Sequence, residues 1–151
     1  MKIRSITAFV DPRWPLESGR LDAVAAAVAD ARTAYAQAGY EVQTTRLATT
    51  PFPEWLPELT EAAAVDAAQR LEAAALERDF GYVSLGPARL SAPASYAIIP
   101  AMLAATQAAF FSAELATREA GIATAALHAA AGVMQQAATL EDNGFANLRF
   151  A

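Results

Sequence analysis

The chain has 151 residues, a formal net charge of -5, a hydrophobic fraction of 55% and no cysteine. This apolar content excludes a chain that stays disordered, and the lack of cysteine excludes a disulfide scaffold, a thiolate metal site and a thiolate nucleophile on this chain. The acidic balance argues against nucleic-acid binding, which requires clustered Lys and Arg.

Nine elements are predicted along the chain, with strands and helices in alternation. Alanine-rich blocks predict the helices, because alanine is the best helix former, and short runs of β-branched and aromatic residues predict the strands. Gly39 follows the first helix and suits a left-handed C-terminal cap. The predicted strands cover residues 3–10, 40–47, 81–85, 108–115 and 145–151, and the predicted helices cover residues 21–38, 58–78, 96–105 and 121–138.

This order predicts an α/β domain with a largely parallel sheet and right-handed crossovers. Apolar residues on both faces of the first strand indicate a central position in a covered sheet. We expect either a single α/β domain over residues 1–151 or the N-terminal piece of a larger, split domain. The second alternative arises because the sequence stops inside the last predicted strand, which another polypeptide could complete.

Two stretches without charged residues, 90–113 and 121–140, have a length typical of membrane spans. Their alanine, proline and polar residues give little insertion energy, so we expect burial within protein and no membrane association. At the N-terminus, Asp11 and Arg13 interrupt the apolar run that a secretory leader needs. The sequence therefore predicts a cytoplasmic protein.

Three segments together resemble a known family: IRSIT at residues 3–7, GYEVQTTRLAT at residues 39–49 and FANLRF at residues 145–150. They resemble the uncharacterised family catalogued as domain of unknown function 711, which has a pyruvate formate-lyase-like fold. The resemblance covers the whole chain but only the N-terminal part of a typical member. It implies part of a barrel-like α/β fold, and it does not imply radical chemistry, since the chain has neither cysteine nor a glycyl-radical motif.

The resemblance also implies a partner. We expect a second protein chain that supplies the C-terminal part of the fold and completes the barrel, or alternatively a homo-oligomer. Burial between two chains would account for the neutral, alanine-rich stretches. The sequence has no Walker motif, no dinucleotide fingerprint and no Gly-x-Ser-x-Gly elbow, so the cofactor stays unknown.

Two arginines are candidates for binding a substrate. Arg46 shares one face of its predicted strand with Tyr40, Val42 and Thr44, and a guanidinium there can anchor a carboxylate or phosphate by bidentate contact. The alternative is a salt bridge at the strand end. Arg149 presents the same choice between substrate binding and an interface ion pair.

Three further residues are candidates for acid–base catalysis. Asp11 ends the first strand, where α/β folds place ligand-binding groups, although Asp is also a common turn residue. Glu114 is the first charge after a long neutral run and can act as acid or base, or simply face water. His128 is the only histidine and can be a general base or a satisfied core or interface residue. No metal site is expected, because acidic partners are absent near His128 in the sequence.

These observations predict a subunit of an uncharacterised enzyme that acts on a small, anionic metabolite, with the site at the strand ends and the reaction unresolved. The alternative is a non-catalytic structural or ligand-binding subunit that completes a partner chain's barrel.

Overall fold

A computed structural model describes residues 1–119 and 121–151. Strands and helices alternate within these ranges, which confirms the predicted α/β class. The strands are β1 (Lys2–Val10), β2 (Glu41–Thr49), β3 (Tyr82–Ala88), β4 (Ala109–Ala113), β5 (Ala116–Thr117) and β6 (Gly121–Ile122). The helices are α1 (Ser18–Gln37), α2 (Phe52–Trp55), α3 (Glu61–Leu76), α4 (Ala94–Ala97), α5 (Ile99–Ala105) and α6 (Thr124–Ala137), and a 3₁₀ segment follows at Asp142–Arg149.

The main sheet is parallel, and its four strands lie in the sequential order β1-β2-β3-β4. Crossovers of a single hand between sequential strands place all connecting helices on one face of a sheet. Accordingly α1, α3 and α5 lie side by side in one layer, with α1 against β1 and β2, α3 against β3 and α5 against β4. In the described part of the chain, the opposite face of the sheet has no helix layer.

The hydrophobic core lies between the sheet and this helix layer. Phe52 of α2 is fully buried and packs edge-on against Phe111 of β4, with ring centroids 6.4 Å apart. Burial of one such side chain contributes roughly 1.5–3 kcal/mol. Small residues on α3 let that helix approach the sheet closely. The strands and helices contribute, among others, Leu47, Val83, Leu85, Ala109, Leu21, Val28, Ala64, Ala67, Ala68, Leu71, Ile99, Met102 and Leu103.

The first strand lies at an edge of the sheet, so the predicted central position is wrong. Among the described strands, β1 pairs with β2 alone. Ile6, Ala8 and Val10 pack toward the core, whereas Phe9 points the other way and is 77% exposed. The apolar residues on both faces of β1 therefore reflect an apolar second face of the sheet, and not a second helix layer.

The chain end also differs from its prediction. Instead of a strand over residues 145–151, the 3₁₀ segment occupies residues 142–149, with Asn143 and Gly144 at φ values of 59° and 71°. These left-handed residues turn the chain, and extended pairing begins at Phe150, which bridges Phe111 in parallel. The backbone of Ala151 exchanges two hydrogen bonds of 3.0 Å with β4. The predicted strand over residues 145–151 is therefore limited to its last two residues.

Two helical regions of the structure differ from the predictions. The helix expected over residues 96–105 is divided into α4 and α5, because Pro100 lies in the first turn of α5, where a missing amide hydrogen is tolerated. The short helix α2 was not predicted, since Pro51 before it and Pro53 within it indicate a break. Thr60 begins α3 by accepting a hydrogen bond from the Ala63 amide.

The neutral stretch 121–140 is only half buried in the described chain. Ala130 and Val133 of α6 face the core, while Leu127 and Met134 are 42% and 53% exposed. The expectation that this stretch is buried on all sides is therefore wrong for the chain by itself. Within residues 1–119 and 121–151, no helix combines the length and apolar character needed to cross a membrane.

Candidate functional site

A groove of about 550 Å³ lies on the sheet face that carries no helices, and we call it the sheet groove. Side chains alternate between the two faces of a strand, so the exposed groove side chains come from every second residue, and the buried core residues Leu47 and Phe111 border the groove between them. Its volume falls in the range of about 300–1,000 Å³ that is typical of small-molecule sites. The strands supply Thr7, Phe9, Arg46, Ala48, Tyr82, Ser84, Phe110 and Ser112, and Leu148 and Ala151 border the groove after the 3₁₀ segment.

The strand register arranges the first groove residues in a row across the sheet. Arg46 of β2 lies beside Thr7 of β1 on one side and Tyr82 of β3 on the other. This row therefore brings a guanidinium, an aliphatic hydroxyl and a phenol together. Neighbouring strands are about 4.8 Å apart, so the three side chains can contact one bound group.

The next row has large side chains at its ends and small ones between them. Phe9 lies on β1 and Phe110 on β4, and Ala48 and Ser84 lie between them in register. Three strand spacings separate the two phenylalanines, which is roughly 14 Å. The two small residues form a floor between two aromatic walls, and this difference in side-chain size produces the concavity.

The Arg46 guanidinium is a cation in this groove that has no charge partner among residues 1–119 and 121–151. Its Cζ atom lies 5.7 Å from the centroid of the Tyr82 ring, in a cation–π contact. Within the described ranges no hydrogen bond or ion pair engages its side chain, and its Nε atom is buried without a partner. An unsatisfied buried donor costs about 1–3 kcal/mol. An anion that accepts from Nε and a terminal nitrogen would remove this cost and would form a bidentate pair.

Aromatic side chains give the rest of the groove its character. Tyr82 and Phe110 pack edge to face, with centroids 5.2 Å apart and an interplanar angle of 89°. Phe9 is 77% exposed and Tyr82 is 40% exposed. Contiguous exposed apolar surface of this kind marks ligand or protein contact sites.

Arg149 borders the same groove, but its guanidinium is engaged elsewhere. Its terminal nitrogens donate to the carbonyl of Thr106 at 2.9 Å and to the carbonyl of Leu103 at 3.0 Å, and they pair with Glu141 at 2.8 Å. The two carbonyls lie at the C-terminal end of α5, where a cation is favourable. These contacts give Arg149 a structural role, and substrate binding by this residue stays a prediction.

Asp11 and His128, two of the predicted catalytic residues, do not line the sheet groove. Asp11 is exposed after the end of β1 and accepts a hydrogen bond of 3.2 Å from the Arg13 amide, as a turn residue does. His128 is exposed on α6, and its Nδ1 atom lies 3.0 Å from the Thr124 carbonyl oxygen. The structure places the two residues on different elements, with no contact between them.

Glu114, the third candidate, follows β4 at the opposite sheet edge from Asp11 and is likewise outside the groove. Its carboxylate accepts a 3.0 Å hydrogen bond from the Leu90 amide and lies 3.4 Å from Arg89. Arg89 also lies 3.5 Å from Glu54. These bonds tie the loop after β3 to the end of β4. Within the described residues, no group of three His, Asp or Glu side chains that could hold a metal ion is found.

Tyr96 of α4 bonds to the same Glu114 and makes the stability of the protein depend on pH. Its hydroxyl donates to the Glu114 carbonyl. Burial raises the pKa of Tyr96, and the nearby Glu114 carboxylate raises it further. Because the folded-state pKa lies above the unfolded one, this stabilisation is present below about pH 10 and is lost as the pH rises through the folded value.

We expect Tyr96→Phe to lower the free energy of unfolding at neutral pH by about 1 kcal/mol, because one buried hydrogen bond is lost. The variant should also lose less stability than the wild type above about pH 10. Urea denaturation from neutral to alkaline pH measures both effects, with Tyr35→Phe as the control because Tyr35 is 42% exposed. Equal alkaline losses in the wild type and in Tyr96→Phe would contradict this assignment.

Sequence reasoning named Arg46 and Arg149 but missed the other residues of the groove. The available signal was an alternation of polar and aromatic residues in the strands: Thr7 with Phe9, Tyr82 with Ser84, and Phe110 with Ser112. That alternation shows which residues share a face, but not that helices leave this face open.

The family model described as "Uncharacterised ACR (DUF711)" matches residues 1–151, which is the whole chain. This match confirms the resemblance carried by residues 3–7, 39–49 and 145–150. No curated protein matches the chain.

Proposed function

The chain belongs to the DUF711 family, and we propose that its sheet groove binds a small organic anion, with the Arg46 guanidinium as the anchor. The observation that carries this proposal is the buried, unpartnered Nε atom of Arg46 in a groove of ligand size. A buried charged group is normally paired, and within the described residues Arg46 lacks an acidic partner. A carboxylate or phosphate oxygen supplies the missing acceptor.

We propose further that the bound anion is the substrate of an enzyme of which this chain is one part. Asp11, Glu114 and His128 lie outside the groove, so an acid or base acting on this anion would come from the layer that covers the open sheet face. Parallel sheets are normally covered on both faces. A second chain that closes a pyruvate formate-lyase-like barrel over this face is the covering layer we propose.

A second candidate function is supported by the exposed aromatic residues. Phe9 and Leu148 are 77% and 72% exposed on the open face, and a packed protein layer would bury them as well as a ligand would. The chain would then be a structural subunit that completes a partner's barrel. Native mass spectrometry of the untagged protein from its source distinguishes the assemblies. A second, non-identical chain supports the barrel, whereas monomers or multiples of this chain alone count against it.

Arg46→Gln is the variant that tests the anion site. In wild-type protein we expect at least one of benzoate, succinate or inorganic phosphate to raise the melting temperature, and we expect Arg46→Gln to bind that anion roughly 30-fold more weakly. Charge-assisted hydrogen bonds of about 2 kcal/mol account for this factor. Isothermal titration calorimetry gives the dissociation constants.

Arg4→Gln is the matched control, since Arg4 is an exposed strand arginine that does not line the groove. It removes the same charge from the protein and should leave anion binding unchanged. Arg46→Lys keeps the charge but loses the bidentate fork, so it should recover only part of the affinity. Equal binding by wild type and Arg46→Gln, or no binding of any of the three anions, would overturn the proposed anion site.

A further inference from the structure

We infer that the anion held in the sheet groove is an aromatic monocarboxylate, an inference that rests on the proposed anion site. Three features of the groove carry it: the number of free positive charges, the arrangement of aromatic side chains, and the position of unpaired hydroxyls. Each restricts the ligand in a different way.

The charge of the groove fits a single carboxylate. Of the two guanidinium groups that border it, Arg149 is bound to carbonyls and to Glu141, which leaves Arg46 for a ligand. Among the described residues that line the groove, none is Lys, Asp or Glu. A phosphate dianion or a dicarboxylate would place a second charge on apolar surface without a partner, which is unfavourable. One planar guanidinium and one planar carboxylate form a complete bidentate pair.

The apolar part of the groove fits a flat ring beside that carboxylate. Ala48 and Ser84 form the floor one row beyond Arg46, and Phe9 and Phe110 lie at its two sides. The ring of Tyr82 is already in edge-to-face contact with Phe110. A ligand ring between these walls can add further stacked or edge contacts, each contributing about 0.5–1.5 kcal/mol beyond area burial.

Two hydroxyl groups of the protein lie where the carboxylate of this ligand would bind. Thr7 and Tyr82 lie on either side of Arg46 in register, and within the described residues their side-chain hydroxyls have no hydrogen-bond partner in the protein. They can donate to the carboxylate oxygens that the guanidinium leaves open. The polar atoms therefore meet at one row and the apolar surface at the next, which orients an amphipathic molecule such as benzoate.

Calorimetric titration of the full chain with matched small molecules tests the inference. Benzoate is the probe, and cyclohexanecarboxylate has the same charge and similar size without an aromatic ring. We expect benzoate to bind about 5-fold more tightly than cyclohexanecarboxylate, the factor that one aromatic contact provides, although the saturated ring is the more hydrophobic. Benzamide, which lacks the charge, should bind roughly 30-fold more weakly than benzoate.

Variants of the two phenylalanines beside the groove floor provide a second test of the inference. Phe110→Leu and Phe9→Leu keep apolar volume but remove the rings, and each should reduce benzoate affinity about 5-fold while leaving cyclohexanecarboxylate affinity unchanged. Phe145→Leu is the control, because Phe145 is 56% exposed and does not line the groove. Two wall variants keep the test valid if one of them fails to fold, which far-ultraviolet circular dichroism reveals.

The outcomes separate this inference from the proposed function. Equal binding of benzoate and cyclohexanecarboxylate, or tighter Arg46-dependent binding of phenyl phosphate or succinate, would overturn the aromatic monocarboxylate and leave the anion site standing. Binding of none of these anions, or binding that Arg46→Gln does not weaken, would overturn both. Benzoate preference that depends on Arg46 and on the two phenylalanines would support both.

Discussion

Arg149→Met is expected to lower the free energy of unfolding by about 3 kcal/mol, because it removes a buried cation from the end of α5. Arg149 is 8% exposed, and its guanidinium holds the carbonyls of Thr106 and Leu103 together with the Glu141 carboxylate. Methionine fills much of the same volume but satisfies none of these acceptors. Chemical denaturation followed by circular dichroism measures the loss.

Arg70→Met is the matched control for this substitution. Arg70 pairs with Asp66 at 2.8 Å on the surface of α3, and its side chain is 67% exposed. An exposed pair of this kind contributes less than about 1 kcal/mol. If Arg149→Met costs no more than Arg70→Met and instead weakens anion binding, Arg149 is a ligand-binding residue and the structural role assigned to it is wrong.

The contrast between Arg46 and Arg149 shows what sequence alone could not decide. Both arginines lie in segments predicted as strands, so the same substrate-binding role is predicted for both. Their roles differ because Arg149 lies in a 3₁₀ segment that approaches the end of α5, and its two carbonyl acceptors, those of Leu103 and Thr106, are more than 40 residues away in the chain. No local pattern encodes a contact of that separation. Arg46 lies on a regular strand, and the alternation of its neighbours was enough to place it on a sheet face.

Much of the fold followed from periodicity, whereas the site did not. The alanine-rich helices and the four strands of the main sheet were predicted close to their observed positions, because period and propensity are local properties. The position of β1 at an edge could not be read in this way, since strand order depends on non-local pairing. Phe9 was therefore expected in a covered interior, and it lines the groove instead.

The catalytic candidates were chosen by a rule about position. Ligand sites of α/β sheets commonly lie beyond the carboxyl ends of strands, which favoured Asp11, and Glu114 was favoured as the first charge after a long neutral run. The sheet groove lies along the strand faces, and its aromatic residues have the same sequence signature as core residues. Phe110 of the groove and Phe111 of the core look alike in sequence. They differ because the helices form a layer on one side of the sheet, and this arrangement exists only once the sheet has assembled.

Gly86→Ala is expected to lower the free energy of unfolding by about 3 kcal/mol, and it tests the geometry of the strand that carries Tyr82 and Ser84. Gly86 has a φ of +77°, which costs about 1–2 kcal/mol for a residue with a side chain. A Cβ atom there would lie 2.9 Å from the Cα atom of Pro51 and 3.2 Å from its nitrogen. These are backbone atoms that cannot move aside, and overpacking of this kind costs about 1–3 kcal/mol more.

Gly132→Ala is the matched control, because it makes the same change where nothing opposes it. Gly132 lies inside α6, and an added Cβ would meet no atom within 4 Å. Alanine is favoured over glycine in a helix interior by about 0.5–1 kcal/mol, so this variant should be more stable than the wild type. Gly86→Ala should therefore lower the denaturation midpoint and Gly132→Ala should raise it, although both substitutions replace glycine by alanine.

Gly86→Ala should also disturb the sheet groove, because the pairing of β3 with β4 shifts register between Ser84 and Pro87, around this glycine. A bulge of this kind re-aims the neighbouring side chains, and a strand pushed away from Pro51 would move Ser84 relative to Arg46. We expect folded Gly86→Ala protein to bind the Arg46-dependent anion more weakly, while Gly132→Ala binds it as the wild type does. Stabilisation by both substitutions would contradict the close approach of β3 to Pro51, and unchanged anion binding by a destabilised Gly86→Ala would show that the bulge supports the fold without positioning the groove.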